Sequence, residues 1–249
     1  MTRLLVINPN ISDAVSALIR AEAERSAAPG TQLTVLTAPF GVAYIETRFE
    51  ALIGACAAAQ LAAEHHAAHD AVVVAAFGDP GLMALREALP CPVTGLTEAA
   101  FATAMQLGQR VSIVAISQRI RAWYRETVAA YGWSGRLASI RALDEPLADI
   151  GAVQGDQGER LVALAQACVA DDGADVIVLA GAPLAGLARQ VRDRLPVPVV
   201  DGVSCAVRQA EALVRAAPVA HRTGSFAPPP AKPNQGLPPA IARLLDRPA

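Results

Sequence analysis

Short, wholly apolar runs alternate along the chain with longer amphipathic or alanine-rich stretches, the pattern of buried parallel strands joined by helical crossovers. The first run, Arg3 to Ile7, ends at Asn8-Pro9-Asn10-Ile11-Ser12-Asp13, after which Val15, Leu18 and Ile19 recur with helical spacing. Gln32 to Leu36 predicts a second strand closed by a Pro39-Phe40-Gly41 turn, Phe49 to His66 a long helix, and Ala71 to Ala75 a third strand. A helix over Thr97 to Leu107 leads to Arg110–Ser117, which reopens the pattern with a strand like Arg3–Asn10. Helices over Ile120–Tyr131 and Gly158–Ala170 flank a strand at Leu137–Leu143, and strands at Val176 and Val197 follow. The helix from Ser204 to Ala216 then returns the chain to the first unit. Ala227 to Pro233 is rigid and extended, so the last helix, Pro239–Leu245, must pack on something already built.

One passage occurs twice. His69-Asp70-Ala71-Val72-Val73-Val74-Ala75-Ala76 is echoed by Ala174-Asp175-Val176-Ile177-Val178-Leu179-Ala180-Gly181, and each copy runs on to Leu-Pro-x-Pro-Val, at Leu89–Val93 and Leu195–Val199. This repeat predicts an α/β protein of two pseudo-symmetric lobes, each a parallel sheet flanked by helices. The lobes are expected to be 1–97 with 209–249, and 98–208, with a site in the cleft between them. Ala76 and Gly181, ending the paired strands, are the first positions at which to look for chemistry.

A length of 249 residues admits two lobes of modest size. A hydrophobic content of 53% with only 4% aromatic residues means a core of Ala, Val, Leu and Ile. A formal charge of −2 without a Lys/Arg run speaks against a nucleic-acid partner. Met1 to Asn8 holds only four consecutive apolar residues, too few for a signal-peptide core or a membrane span, so a soluble cytoplasmic protein is expected. Cys56, Cys91, Cys168 and Cys205 lack ligand or redox spacing and read as ordinary buried thiols. His65, His66 and His69 sit at the amino end of the Val72 strand without a carboxylate completing a zinc motif, and no metal is expected.

Open parallel sheets bind ligands at the carboxyl ends of their strands. That rule selects Asn8-Pro9-Asn10, Pro39 to Thr47, Phe77-Gly78-Asp79-Pro80-Gly81 and Thr94-Gly95-Leu96-Thr97 from the first unit. From the second it selects Ser117-Gln118, Ala182-Pro183-Leu184 and Asp201-Gly202-Val203. There is no GxGxxG after a strand and no GxxxxGK[ST], so no nucleotide cofactor is expected. Asp79 reads as a cap for a helix opening at Pro80, where the N–H groups it accepts would lower its pKa and make it a poor general base.

Together, Ile7-Asn8-Pro9-Asn10, Phe77-Gly78-Asp79-Pro80-Gly81-Leu82, Pro92–Ala100 and Pro198-Val199-Val200-Asp201-Gly202-Val203 resemble the aspartate/glutamate/hydantoin racemase superfamily. The likeness is closest to its hydantoin and allantoin racemase branch and spans nearly the whole chain. It implies homo-oligomers and cofactor-independent racemisation of a small molecule by two cysteines on opposite faces of a stereocentre. One thiolate takes the Cα proton, the other thiol returns one, and backbone N–H groups hold the enolate. The family's two cysteine positions fall here on Ala76 and Gly181, and none of the four cysteines present matches either. Pro183 also removes an N–H from the second loop. The pocket implied by the resemblance is rimmed by Tyr44, Ile45 and Glu46, with Asn8, Asn10, Phe77, Gly78 and Thr94 from the first unit. Ser117, Ala182, Pro183 and Asp201 complete it from the second. Asp79, Glu46, Tyr44 and Ser117 are the candidate acid/base groups. The expected function is an isomerase-like enzyme acting on the α-carbon of a small hydantoin, ureide or amino-acid derivative without the two-cysteine mechanism. The alternatives are a decarboxylase, lyase or hydrolase on the same scaffold, or a non-catalytic small-molecule binder.

Overall fold

The computed structural model describes residues 1–145, 149–216 and 223–246. Within them the apolar runs form strands β1 (Arg3–Asn8), β2 (Gln32–Thr37), β3 (Ala71–Val74), β4 (Val93–Gly95), β5 (Val111–Ala115), β6 (Leu137–Ala142), β7 (Val176–Leu179) and β8 (Val199–Asp201). They make two parallel four-stranded sheets, ordered β2-β1-β3-β4 and β6-β5-β7-β8. The same order in both sheets shows that the sequence repeat is a repeat of topology. Its conserved-looking aspartates do the same work in each half: Arg3 N donates to Asp70 at 2.8 Å and Arg110 N to Asp175 at 3.0 Å, tying the start of each unit's first strand to its third.

Helices α1 (Asp13–Ser26), α2 (Arg48–His65), α3 (Leu82–Ala88) and α4 (Leu96–Leu107) follow the strands of the first unit. In the second they are α5 (Arg121–Ala130), α6 (Val153–Ala170), α7 (Leu187–Val191) and α8 (Gly202–Arg215), and α9 (Pro239–Leu245) closes the described chain. Two of the boundaries that differ from the sequence reading have a local cause. Helix α6 opens at Val153 rather than Gly158, because buried Val153 anchors an extra turn in which Gly155 and Gly158 face open space. Strand β8 starts at Val199 rather than Val197, since Pro198 can only accept, taking a hydrogen bond from Ile177 N at 2.9 Å. Among the described residues no helix is long and apolar enough to cross a membrane.

A thiol expectation also changes: Cys168 and Cys205 are buried, Cys91 is half-buried, and Cys56 is exposed because it lies on the outer face of α2.

The main core lies between the sheets, and a smaller one fills the outer side of the first sheet beneath α2, α3 and α9, with Leu5, Ile7, Val72, Leu61 and Leu244. The helices following the last strand of each unit cross over. α4 packs against β7 and β8 of the second sheet, while α8 packs against β3 and β4 of the first, and the two helices pack on each other. They touch at their first residues. A β-carbon on Gly202 would lie 2.6 Å from Leu96 Cβ and 3.2 Å from Leu96 O, closer than side chains pack. Gly202→Ala is therefore expected to lower stability by roughly 1–3 kcal/mol through overpacking. Gly155→Ala, in open space within α6, should be neutral or up to about 1 kcal/mol stabilising. Urea unfolding of the two variants checks this, and equal midpoints would show that the close approach is dispensable.

Candidate active site

The carboxyl ends of the two sheets meet around one cavity. Its walls come from Asn10 after β1, Tyr44 and Ile45 before α2, Ala75 to Phe77 after β3, and Ile116, Ile120 and Tyr124 after β5. Gly181, Ala182 and Pro183 after β7 complete it. Ala76 and Gly181 are thus brought into one cavity from the two repeats, together with Asn10, Tyr44, Ile45, Phe77, Ala182 and Pro183. Gly181 has φ 107° and ψ 146°, a backbone conformation essentially confined to glycine.

The polar groups at this cavity are set by their neighbours. Asn8 is fully buried, and its Nδ2 donates to Asn10 Oδ1 (3.0 Å) and Ser16 Oγ (2.9 Å), so it orients Asn10 from behind. Asn10 Oδ1 also accepts from Ser12 N at 2.9 Å, which leaves Asn10 Nδ2 as the donor without a partner among the described residues. Tyr44 is held by the capping box of α2, in which Thr47 and Glu50 satisfy each other's N–H groups and Glu46 N also donates to Glu50, at 2.8 Å. Burial and the neighbouring Glu46 carboxylate push the Tyr44 hydroxyl up to about 12. Tyr124 is buried with its ring centroid 4.7 Å from that of Phe77, and its hydroxyl makes no hydrogen bond among the described residues. Burial, reinforced by the Asp79 and Glu46 carboxylates, raises its pKa further. Both tyrosines are proton holders and hydrogen-bond donors at neutral pH. Among the described residues, no charged side chain and no thiol lines the cavity.

Asp79 stands behind that wall and its role corrects the sequence reading. α3 begins at Leu82 after Gly81, with no side-chain cap. Asp79 instead reaches across to α4, accepting from Thr97 N (2.8 Å), Glu98 N (2.9 Å) and the Tyr131 hydroxyl (2.7 Å). Burial pushes its carboxyl up to about 6 despite these donors, where capping alone would have lowered it. Gly78 N donates to Thr97 Oγ1 at 2.6 Å, and at φ 93° a β-carbon on Gly78 would overlap the Trp123 ring, so the loop is pinned on both sides.

The remaining candidates lie outside the cavity. Glu46 and Ser117 border an adjoining groove, where Ser117 Oγ accepts from Arg119 N at 3.2 Å. Thr94 Oγ1 donates to Ala206 O at 3.1 Å and fastens β4 to α8. Asp201 caps α8 by accepting from Ser204 N at 2.9 Å and borders a different cavity. Ala75, Ile116, Ile120 and Tyr124 were not anticipated. Ile120, Tyr124 and Val128 recur at i, i+4 and i+8, a spacing that marks one buried helix face and could have flagged a tyrosine turned inward. His66 and His69 turn to the carbonyls of Ala62 and His65, at 2.9 and 2.8 Å.

The family model for Asp/Glu/hydantoin racemase matches residues 4–210. The chain belongs to the Asp/Glu/hydantoin racemase family. This family member is 37% identical over 235 residues to a hydantoin racemase of Paenarthrobacter aurescens, covering 92% of this chain and 98% of that one. It superposes on an allantoin racemase from Klebsiella pneumoniae with a TM-score of 0.92 at 34% identity, covering 97% and 99% of the two chains. A variant of arylmalonate decarboxylase, 18% identical with a TM-score of 0.67 over 86% and 93% of the two chains, shares the fold.

The Asp79 carboxyl carries a pH signature. Its pKa of about 6 in the folded chain exceeds the unfolded value of about 3.9, so the folded state holds the extra proton between them. Stability attributable to this group is therefore lost as pH rises from about 4 to about 6, by at most roughly 2–3 kcal/mol. Asp79→Asn lacks that step. Urea unfolding across the window should show the wild type losing ground relative to the variant, and parallel pH profiles would refute the raised value.

Proposed function

We propose that the cavity binds a small uncharged cyclic ureide or amide of the hydantoin or allantoin type, and that the chain acts on its α-carbon as an isomerase without side-chain thiols. The carrying observation is the neutrality of the lining: Asn10 Nδ2 and the Tyr124 hydroxyl are uncharged donors, and among the described residues no charged side chain lines the cavity, the Glu46 carboxylate lying behind Tyr44. A free amino acid or dicarboxylate desolvated here would leave charges unpaired, at a cost of several kcal/mol, whereas ureide carbonyls accept these donors. Donors placed on a ground-state carbonyl also hold the charge that develops when an adjacent C–H bond breaks. The relatives named hydantoin and allantoin racemase support the same substrate class.

Ala76 and Gly181 occupy the positions that the family resemblance gives to the acid/base pair, and both tyrosines keep their protons. On this reading hydroxide or water in the cavity removes the Cα proton, the electron pair passes to the carbonyl oxygen, and water returns a proton from the opposite face. No cofactor takes part. The protein works in the cytoplasm as a homo-oligomer, a state supported by the exposed Phe40, Phe49 and Leu52. The lobes, 1–97 with 209–249 and 98–208, are supported by the crossing of α4 to the second sheet and α8 to the first.

In heavy water, Cα deuterium incorporation into allantoin and 5-substituted hydantoins is expected above the buffer rate. The enzymatic rate should climb with pH without the plateau that a titrating thiol would impose. Tyr124→Phe should lower it by roughly 10- to 100-fold with an unchanged melting temperature. No exchange above buffer would overturn the isomerase reading. Calorimetric binding of the same compounds without exchange would assign the cavity to binding alone, a second reading favoured by the absence of any lining group that titrates near neutrality.

A further inference from the structure

The two repeats differ at a second cavity, on the open edge of β8. In the first repeat the corresponding edge is closed from within: Arg86 Nε donates to Val93 O at 2.9 Å, and its guanidinium forks onto Glu98, with Nη1 at 2.9 Å from Oε1 and Nη2 on Oε2. Aligning the two Leu-Pro-x-Pro-Val passages pairs Arg86 with Arg192 and Val93 with Val199. It also pairs Glu98, the third residue of α4, with Ser204, the third residue of α8. The arginine and the edge strand are retained, and the carboxylate is gone.

What is left is an open cavity bordered by Arg192, Val199, Ser204 and Arg208. Among the described residues, the nearest carboxylate to Arg192 is that of its exposed neighbour Asp193, 3.7 Å away, and Arg208 makes no hydrogen bond or ion pair. The two acidic side chains bordering the cavity are already engaged. Glu22 accepts from Arg189 at 2.6 Å and Ser26 at 2.9 Å, and Asp201 accepts from Ser204 N and Oγ at 2.9 and 3.0 Å. Two guanidinium groups therefore face a space that in the twin repeat holds a carboxylate.

We propose that this cavity binds a small soluble carboxylate, whose carboxyl group takes on Arg192 the place that Glu98 takes on Arg86. A planar guanidinium fork matches a carboxylate in two parallel charge-assisted hydrogen bonds, and Arg208 supplies a second positive charge for a further acidic group. The length of the glutamate side chain that is missing sets the scale of the ligand, a short-chain acid rather than a nucleotide or a peptide.

Calorimetric titration of the full chain with sodium succinate tests this, with succinamide as the uncharged control. Saturable binding of succinate in the millimolar range is expected, with none of succinamide. Arg192→Gln, a change at an exposed residue, should weaken it roughly tenfold or more. Ser204→Glu, which restores the internal carboxylate, should abolish binding, and where that variant does not fold, Arg192→Gln carries the test. Tyr124→Phe should bind succinate as the wild type does. Absence of saturable binding, binding indifferent to Arg192→Gln, or loss in Tyr124→Phe would each overturn the proposal. Sedimentation at several protein concentrations covers the remaining source of a carboxylate: self-association lost in Arg192→Gln, without succinate binding, would place an acidic side chain of a second copy there and overturn the soluble ligand.

Discussion

Two helix amino termini buried back to back at the centre of the molecule constrain almost everything around them. Each helix begins with N–H groups that have no partner within the helix, and in a dry interior these must be given acceptors. α8 solves the problem locally, since Asp201 at the end of β8 accepts from Ser204 N. α4 has Gly95 at the equivalent place, where any β-carbon would lie 2.5 Å from Asp79 Oδ1, and takes its acceptor from Asp79 on a distant loop. The carboxylate of the first repeat has moved from the strand end to the loop. That shift decides the shape of the cavity, because a loop committed to capping α4 must carry Ala76 and Phe77 to a fixed place. In the second repeat the residue three beyond Gly181 is Leu184, buried and with its N–H donating to Gly181 O, and the loop closes as a tight turn instead.

The same commitment places a carboxylate near the cavity without letting it into the cavity. Asp79 has its oxygens occupied by α4 and Tyr131, and it does not line the cavity. Its charge still reaches Tyr124, one reason that this hydroxyl holds its proton so firmly. The result is a cavity lined by neutral donors with negative charge behind them, in which an uncharged carbonyl compound is accommodated at lower cost than an anion. Charged recognition is displaced to the β8 edge, where Arg192 and Arg208 lie.

Strands, sheet membership and the duplication were legible because buried parallel strands leave unbroken apolar runs, and because both copies carry the same aspartate and the same Leu-Pro-x-Pro-Val ending. The convergence of Asn10, Tyr44, Ala76, Phe77, Gly181 and Pro183 followed from the strand-end rule. The same rule also nominated Ser117, Thr94 and Asp201, whose hydrogen bonds turn them toward caps and helix contacts. Asp79 shows a different limit. A local cap can be read from spacing three residues ahead, whereas one that serves a helix opening at Leu96 leaves no local pattern. Tyr124 escaped because strand-end reasoning does not reach into helices, although its buried face was written in the i, i+4 spacing.

The two strand ends are not equivalent. Ala76 is not among the positive-φ residues, so a larger side chain there would meet no strain of that kind. Gly181 differs, because at φ 107° a side chain would cost of the order of 1–3 kcal/mol in backbone strain before it met any neighbour. Pro183 stands next to it, its Cδ 3.5 Å from where a β-carbon would begin, and the turn it shapes returns Leu184 N to Gly181 O. The backbone of the second strand end therefore disfavours a side chain, whereas that of the first does not carry this constraint. A cavity lined in that way is organised around what its N–H groups, amide and hydroxyls can hold, and its ligand is to be sought among compounds whose recognition needs donors rather than a pair of titrating groups.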